Sequence, residues 1–461
     1  MDWLEHHLAL ILFAVLALAL FCGFPVAFVL GGIAILFGAF AIVLGVFEPV
    51  QFFNLLPRVW GTAASNPILV AVPMFIFMGT MLERSGVAKD LLRCLQVMLR
   101  RIPGGLAMSV TLMGTIMAAT TGIVGATVVM LTMIALPSML ERGYDKRLAV
   151  GTIASAGTLG ILIPPSIMLV IMGDLLSVSV GALFAASVIP GLILALFYLL
   201  YIGGITFLKP GLAPPLPPDI GPKTGREFAV MVAKSFLPPV FLIVLVLGSI
   251  FGGWATPTEA AGIGSFGAIL LAWTNRSLTR QSMREVIART GLTNAMVFFI
   301  VFGATLFSFV FRSLGGDDLI VELLDKMGIS SGWEILVFML VLTFLLGFFF
   351  DWIEITLIML PVFAPVLQGV DFGPHLGQGG PILFLTWFII MMSVNLQTSF
   401  LTPPFGFTLF YMKGTVPPSV TMADIYRGIV PFVLLQLIGL VLVLLFPQLA
   451  LWLPRMAGFL S

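Results

Sequence analysis

Run after run of this chain carries no charged side chain: residues 8–21, 237–250 and 335–350 contain none at all. Such a stretch can lie only in a protein core or in lipid, and the totals choose between them. Hydrophobic types make up 60% of the 461 residues and charged types 9%, against roughly 25% charge in a soluble protein. Too few charges remain to cover a water-facing surface. Continuous apolar runs, in place of alternation, select helices over a transmembrane barrel. The expected class is an all-α polytopic membrane protein.

Other features close off further classes. A net charge of +1 with no basic stripe leaves no footprint for nucleic acid. Cys22 and Cys94 lie in or beside apolar segments and make no disulfide framework, and three histidines supply little for a His-based metal centre. Neither a resident cofactor nor a further metal is expected. Asp2, Glu5, His6 and His7 precede the first apolar run, which is not the pattern of a cleavable signal. No nucleophile–base constellation, Walker motif or HExxH occurs, so the chain does not read as an enzyme and an ion gradient must supply the energy. The 48 glycines and 30 prolines predict broken helices.

Basic short loops stay cytoplasmic, which orients the chain. The acidic N-terminus is placed outside, and both termini are expected on the outer face of the membrane. Residues 84–101 hold Arg84, Lys89, Arg93, Arg100 and Arg101 against Asp90, an inside loop. Residues 106–140 are then charge-free, yet Arg142, Lys146 and Arg147 follow at once. With both flanks inside, the chain must enter and return, and arms of roughly 16 residues reach about 24 Å, short of a core about 30 Å thick. A re-entrant hairpin with its tip near Thr120–Gly122 is expected, with two complete helices and a tight turn as the alternative. Beyond it, Pro164 and Pro165 must break the following helix.

The second half repeats the first. Arg84-Ser85 returns as Arg312-Ser313, and Ala135-Leu136-Pro137 as Phe363-Ala364-Pro365, both 228 positions on. Ile163-Pro164-Pro165 returns as Thr402-Pro403-Pro404 at 239, the surplus falling in residues 368–380. The charges, however, are reversed. The counterpart of the basic loop, residues 312–326, sets Arg312 and Lys326 against Asp317, Asp318, Glu322 and Asp325, and residues 368–380 carry Asp371 without Lys or Arg. Equivalent loops on opposite sides mean an inverted-topology repeat. Two such repeats, each joining a re-entrant hairpin to a discontinuous helix, describe a secondary transporter whose freed carbonyls meet near the midplane.

The expected organisation is 1–66 as N-terminal scaffold helices and 67–190 as transport repeat 1, with hairpin 106–140 and broken helix 148–173. Residues 191–290 follow as scaffold with a cytoplasmic Pro-rich loop at 209–234. Residues 291–428 form transport repeat 2, with hairpin 335–367 and broken helix 381–412, and 429–461 a C-terminal scaffold helix. Asp351 and Glu354 lie three apart at the second hairpin tip, where carboxylates are costly and usually functional. They read either as a cation or substrate site or as hydrogen-bonded caps. Glu259 beside Thr256-Pro257-Thr258 reads as a capping box, and Arg84 and Arg312 as interfacial anchors.

Six motifs in order carry a family resemblance. They are Val72-Pro73-Met74-Phe75-Ile76-Phe77-Met78-Gly79, Gly143-Tyr144, Gly160 to Ser166 around Ile163-Pro164-Pro165-Ser166, Ile189-Pro190-Gly191, Thr256-Pro257-Thr258-Glu259-Ala260-Ala261, and Leu401-Thr402-Pro403-Pro404-Phe405-Gly406. Over nearly its whole length the chain resembles the large membrane subunit of a tripartite ATP-independent periplasmic (TRAP) transporter. The resemblance implies an elevator-type, cation-coupled importer of organic acids, with Na⁺ as the usual coupling ion. It also implies a periplasmic substrate-binding protein and a small membrane subunit. Because the first apolar run starts near residue 8, that small subunit is expected as a separate chain.

Carried onto this sequence, the resemblance implies two cation sites. The first joins Thr121, Gly122, Gly125 and Thr127 to Ile163, Pro164 and Pro165. The second joins Gly347, Asp351 and Glu354 to Thr402, Pro403 and Pro404. Ser166, Asn395, Gln397 and Thr398 are expected along the substrate path. The family's first tip often reads Ser-Gly-Ser; here Thr121 keeps one hydroxyl and Ile123 cannot supply the second. The second tip resembles members proposed for monocarboxylates. A self-sufficient cation/dicarboxylate symporter of related architecture is the alternative function, and an intramembrane enzyme using Asp351 and Glu354 a remote one.

Overall fold

The computed structural model describes residues 2–121, 124–217, 221–222, 224–370, 372–377, 380–403 and 406–460, with the side chains of 2–6, 119–121 and 374 outside that description. Every regular element among these residues is helical. The chain opens with α1 (Asp2–Phe21) and α2 (Val26–Val43), then the short α3 (Pro49–Phe53), α4 (Leu55–Val59) and a π-helical turn, Trp60–Ala64. A first series follows: α5 (Ala71–Arg84), α6 (Val87–Met98), α7 (Gly105–Thr121), α8 (Val124–Glu141), α9 (Lys146–Thr158), α10 (Ile167–Leu175) and α11 (Val180–Leu208). After α12 (Gly225–Ser235), α13 (Leu237–Phe251) and α14 (Pro257–Thr274), the series repeats. It runs α15 (Arg280–Ser313), α16 (Gly316–Lys326), α17 (Gly332–Leu346), α18 (Trp352–Gln368), α19 (Gly380–Leu401), α20 (Phe407–Thr415) and α21 (Met422–Leu445), and α22 (Gln448–Met456) closes the chain.

Among the described residues seven helices are long and apolar enough to cross a membrane. Several of them keep large apolar side chains exposed, as Leu36, Leu200, Phe241 and Leu434 show, which suits contact with lipid. Apolar stretches of α7, α17 and α18 fall in a shorter class, 10–17 residues long, while α8 just reaches the longer one. Three of the four hairpin arms are thus shorter than ordinary spans.

The two series share one anatomy. In each, a long helix ends at Arg84 or Ser313, and a glycine with φ +77°, Gly86 or Gly315, starts the next. That left-handed backbone is nearly free for glycine and strained for other residues, so each series turns the same corner. A helix pair follows, then a helix that stops at Thr158 or Leu401, its continuation starting at Ile167 or Phe407. Packing between the series is reciprocal. Hairpin arm α8 lies on α20, and hairpin arm α18 lies on α10; α14 packs along α5, and α2 along α15. Such an exchange is what a two-fold relation between the copies produces. The interrupted helices form the centre: every residue from Leu148 to Thr158 in α9 and from Leu383 to Leu401 in α19 is buried.

Several expectations need correction. The basic loop at 84–101 is largely helix, because Val87, Leu91, Leu92 and Leu95 form one buried stripe of α6 while its charges face outward. The Pro-rich loop 209–234 ends in α12, whose first turn is capped by Thr224. Boundaries set at 190/191, 290/291 and 428/429 fall inside α11, α15 and α21. These helices carry the chain uninterrupted past those positions.

Candidate functional site

The site is built at the interruptions. Pro164 and Pro165 have no N–H, so the carbonyls of Gly160 and Ile161 lose their helical donors. Ser166 Oγ donates to Ile161 O at 2.8 Å. Ile163, Pro164, Pro165 and Ser166 are all buried. In the second copy Thr402 Oγ1 donates to Thr398 O at 2.7 Å and Thr402 N–H to Ser399 O at 3.0 Å, just ahead of Pro403. Hydroxyls bonded back onto a preceding turn satisfy themselves within the helix and keep lone pairs for a ligand.

The second hairpin tip uses the vocabulary of a surface helix in a buried place. Asp351 is the N-cap of α18: its Oδ1 accepts from Trp352 N–H at 2.7 Å, and Glu354 Oε2 accepts from Asp351 N–H at 3.2 Å. Thr256/Glu259, Ser331/Glu334 and Thr421/Asp424 form the same reciprocal box at outer helix ends. At the first of these ends the bonds from Thr256 hold the Glu259 carboxyl below its ordinary range. The capping reading of Asp351 is therefore realised. Both carboxylates are thus tied to the backbone at the start of α18.

Gly347, expected near a cation, lies where the tip meets α19: a Cβ there would sit 2.8 Å from Ser399 Cβ. Ser399 in turn hydrogen-bonds Phe344 O. Gly125 is pressed under the Tyr411 ring, which a Cβ would approach to 2.8 Å. Tyr411, on α20, stands within electrostatic reach of Asp351 and Glu354. The first hairpin, the second interruption and the second tip therefore converge. Thr127 is buried within α8. Gly122 and Pro404 lie outside the described residues, as do the side chain of Thr121 and residues Ile123 and Asp371.

The residues expected along a substrate path divide. Asn395 donates to Leu340 O at 2.7 Å and Thr343 Oγ1 at 3.0 Å, stapling hairpin arm α17 to α19. Thr398 Oγ1 bonds Val394 O within its own helix. Gln397 donates to Tyr198 Oη at 3.3 Å, which also accepts from Gln436 at 2.8 Å, and Gln436 reaches Thr158 Oγ1 at 3.4 Å. This chain of fully buried groups links the end of α9 to α19 through α11 and α21. Tyr198 and Gln436 were missed; polar residues inside apolar helices were the available signal.

A cavity of about 140 Å³ opens beside Asp351. Ile76, Thr80 and Glu83 of α5 and Arg289 and Thr293 of α15 line one wall; Ala126, Ile167 and Asp351 line the other. A second, of about 170 Å³, lies further along α15, where Arg58 and Arg312 face Asp174 and Pro361. Arg84 and Arg312, expected as anchors, are both engaged: Arg84 pairs with Glu285 at 3.2 Å, and Arg312 donates to Pro361 O at 2.7 Å.

Comparison with known proteins agrees with this arrangement. Residues 13–449 match the family model described as tripartite ATP-independent periplasmic transporter, DctM component. The chain is 31% identical to the C4-dicarboxylate TRAP transporter large permease protein DctM of Pseudomonas aeruginosa, covering 91% of this chain and 93% of that one. It is 29% identical to the ectoine TRAP transporter large permease protein of Halomonas elongata, covering 84% and 86%. Among solved structures it resembles the YdaH transporter of Alcanivorax borkumensis, with a TM-score of 0.57 and 16% identity over 89% of this chain and 90% of that one, a likeness of fold alone. The chain belongs to the DctM component family of the tripartite ATP-independent periplasmic transporters and is a multi-pass protein of the bacterial inner membrane.

Proposed function

We propose that this permease moves an organic acid inward, coupled to Na⁺, by an elevator-type exchange of access. One observation carries the reading: the reciprocal packing of α8 on α20 and α18 on α10 brings Ala126 of the first hairpin, Ile167 at the end of the first interruption and the Asp351 tip around one cavity. Carbonyls released by proline, hydroxyls and a carboxylate at the tip suit a weakly held monovalent cation. Thr127, Gly125 and the 163–165 turn would serve one ion, and Asp351, Glu354, Thr402 and Pro403 the other. The cavity lies on the seam between α5 and α15 on one side and the hairpin-bearing elements on the other, where a sliding body would meet its frame. Because Tyr198 and Gln436 tie α11 and α21 to the interrupted helices, the moving body includes parts of both.

The hairpins would be re-entrant from opposite faces, both termini periplasmic, and the partners a separate small membrane subunit and a periplasmic binding protein. The relatives' printed ligands, a C4-dicarboxylate, ectoine and, for the isethionate permease of Oleidesulfovibrio alaskensis, isethionate, all bear an anionic oxygen group. Proteoliposomes holding the chain and its small subunit test the reading with labelled succinate, lactate and isethionate. Uptake that needs both an inward Na⁺ gradient and the binding protein is expected. Uptake without the binding protein would favour a self-sufficient symporter, and uptake indifferent to Na⁺ would remove the coupling ion.

A further inference from the structure

The wall opposite Asp351 carries an ion pair that the cation sites do not use. Arg289 Nη1 lies 3.0 Å from Glu83 Oε1, joining α15 to α5, and both residues line the 140 Å³ cavity. A second pair, Arg84 with Glu285 at 3.2 Å, joins the same two helices, yet neither of its members faces the cavity. If clamping α5 to α15 were the whole purpose, the outer pair would serve it. A guanidinium has five N–H donors and binds carboxylates best in a two-point fork. The contact to Glu83 runs from one nitrogen to one oxygen, with the Arg289 side chain 42% and the Glu83 side chain 21% exposed, in the wall of the cavity. Thr80 and Thr293 stand beside the pair, and Asp351 supplies negative charge across the gap.

We propose that Arg289 is the exit-side anchor for the substrate's carboxylate, and that Glu83 is the internal competitor that takes Arg289 back when the anion leaves. This rests on the transport function proposed above and assigns its anion-recognising group. An anion held only near Asp351 would be repelled by that carboxylate; a cation between them and a guanidinium facing it supply the opposite charges. The same arithmetic explains why Glu83 belongs there. With no carboxylate on Arg289 but the substrate's, release into the cytoplasm would be slow. Exchange against Glu83 keeps Arg289 neutralised at every step, and the Glu83 carboxylate freed on arrival is the group that displaces the anion on departure.

The test uses the complete transporter in proteoliposomes with labelled succinate, lactate and isethionate, and the detergent-solubilised protein with 50 mM of each as the sodium salt. For Arg289→Gln, KM for the transported anion should rise on the order of tenfold while the Na⁺ concentration for half-maximal uptake stays put. Glu83→Gln should lower KM severalfold and slow turnover. Arg84→Gln, breaking the outer pair, should change neither. The reversed pair E83R/R289E separates the roles: it restores a clamp but puts the guanidinium on the wrong helix. Normal folding with uptake still impaired is expected. Three outcomes would overturn the proposal: wild-type uptake by the reversed pair, wild-type KM in Arg289→Gln, or thermal stabilisation by the anions no greater in wild type than in Arg289→Gln. Loss of Na⁺ dependence in wild type would instead overturn the coupling reading and leave these comparisons intact.

Discussion

The two hairpins occupy equivalent places in the two copies, yet they are held and equipped differently. In the first, α7 packs against α5, α6, α9 and α11, and α8 against α9 and α20, with no charged side chain from residue 106 to 140. In the second, α17 buries only Leu336, Met339 and Thr343, and its tip carries Asp351 and Glu354. Buried carboxylates cost free energy unless bonded, and here the start of α18 supplies the bonds through its capping box and the positive end of its dipole. Duplication fixed the path of the chain; divergence put the charge on the less encumbered copy. The first copy offers hydroxyls and carbonyls alone between residues 106 and 140.

That contrast can be broken by experiment. Asp351→Asn keeps the cap's shape and removes the charge, so the Na⁺ concentration for half-maximal uptake should rise on the order of tenfold, the equivalent of about 1.4 kcal/mol. Thr127→Ala, in the uncharged copy, should raise it only about threefold, or roughly 0.6 kcal/mol. Equal shifts would mean that the two sites are chemically alike despite their sequences. Replacing Pro164 and Pro165 together with Ala returns two N–H donors to the first interruption, and uptake should fall about fivefold. An unaffected rate would make that turn a packing kink.

Smaller effects sharpen the picture. Tyr198→Phe withdraws the acceptor shared by Gln397 and Gln436 and should cost about 1 kcal/mol of stability, read by thermal unfolding in detergent. Both copies should loosen in one transition, because the network joins α9 to α19. Glu259→Gln should have the least effect. The Glu259 carboxyl is held below its ordinary range by Thr256, so its contribution is present above the unfolded value of 4.5 and fades as pH falls through the lower folded one. The variant's small deficit in melting temperature should therefore be seen at pH 7 and vanish in acid.

Much of this architecture can be read in the sequence. Charge-free runs marked the membrane class, paired prolines the interruptions, and the 228-residue repeat the duplication, since each follows from backbone chemistry or local composition. The capping at Asp351 was also legible, as one of two readings of a carboxylate three residues before another. Packing partners were not. Nothing in the spacing ties Gln436 to Tyr198 or Glu83 to Arg289, because those meetings depend on how helices cross. The basic loop at 84–101 hid an amphipathic helix for a related reason: its charges were counted before its apolar stripe.

The exchanged partners of α5 bear on how the protein is made. Ser265 Oγ reaches Met74 O at 2.8 Å and Thr258 Oγ1 reaches Pro67 O at 2.9 Å, each bond spanning 191 residues of chain. A ribosome adding about 5–20 residues per second leaves α5 waiting roughly 10–40 s for α14. Throughout that interval the nascent first half lacks the helix that α5 packs along. Faithful insertion therefore depends on the second half arriving inverted and on time, and slow translation between the copies should be a hazard peculiar to this design.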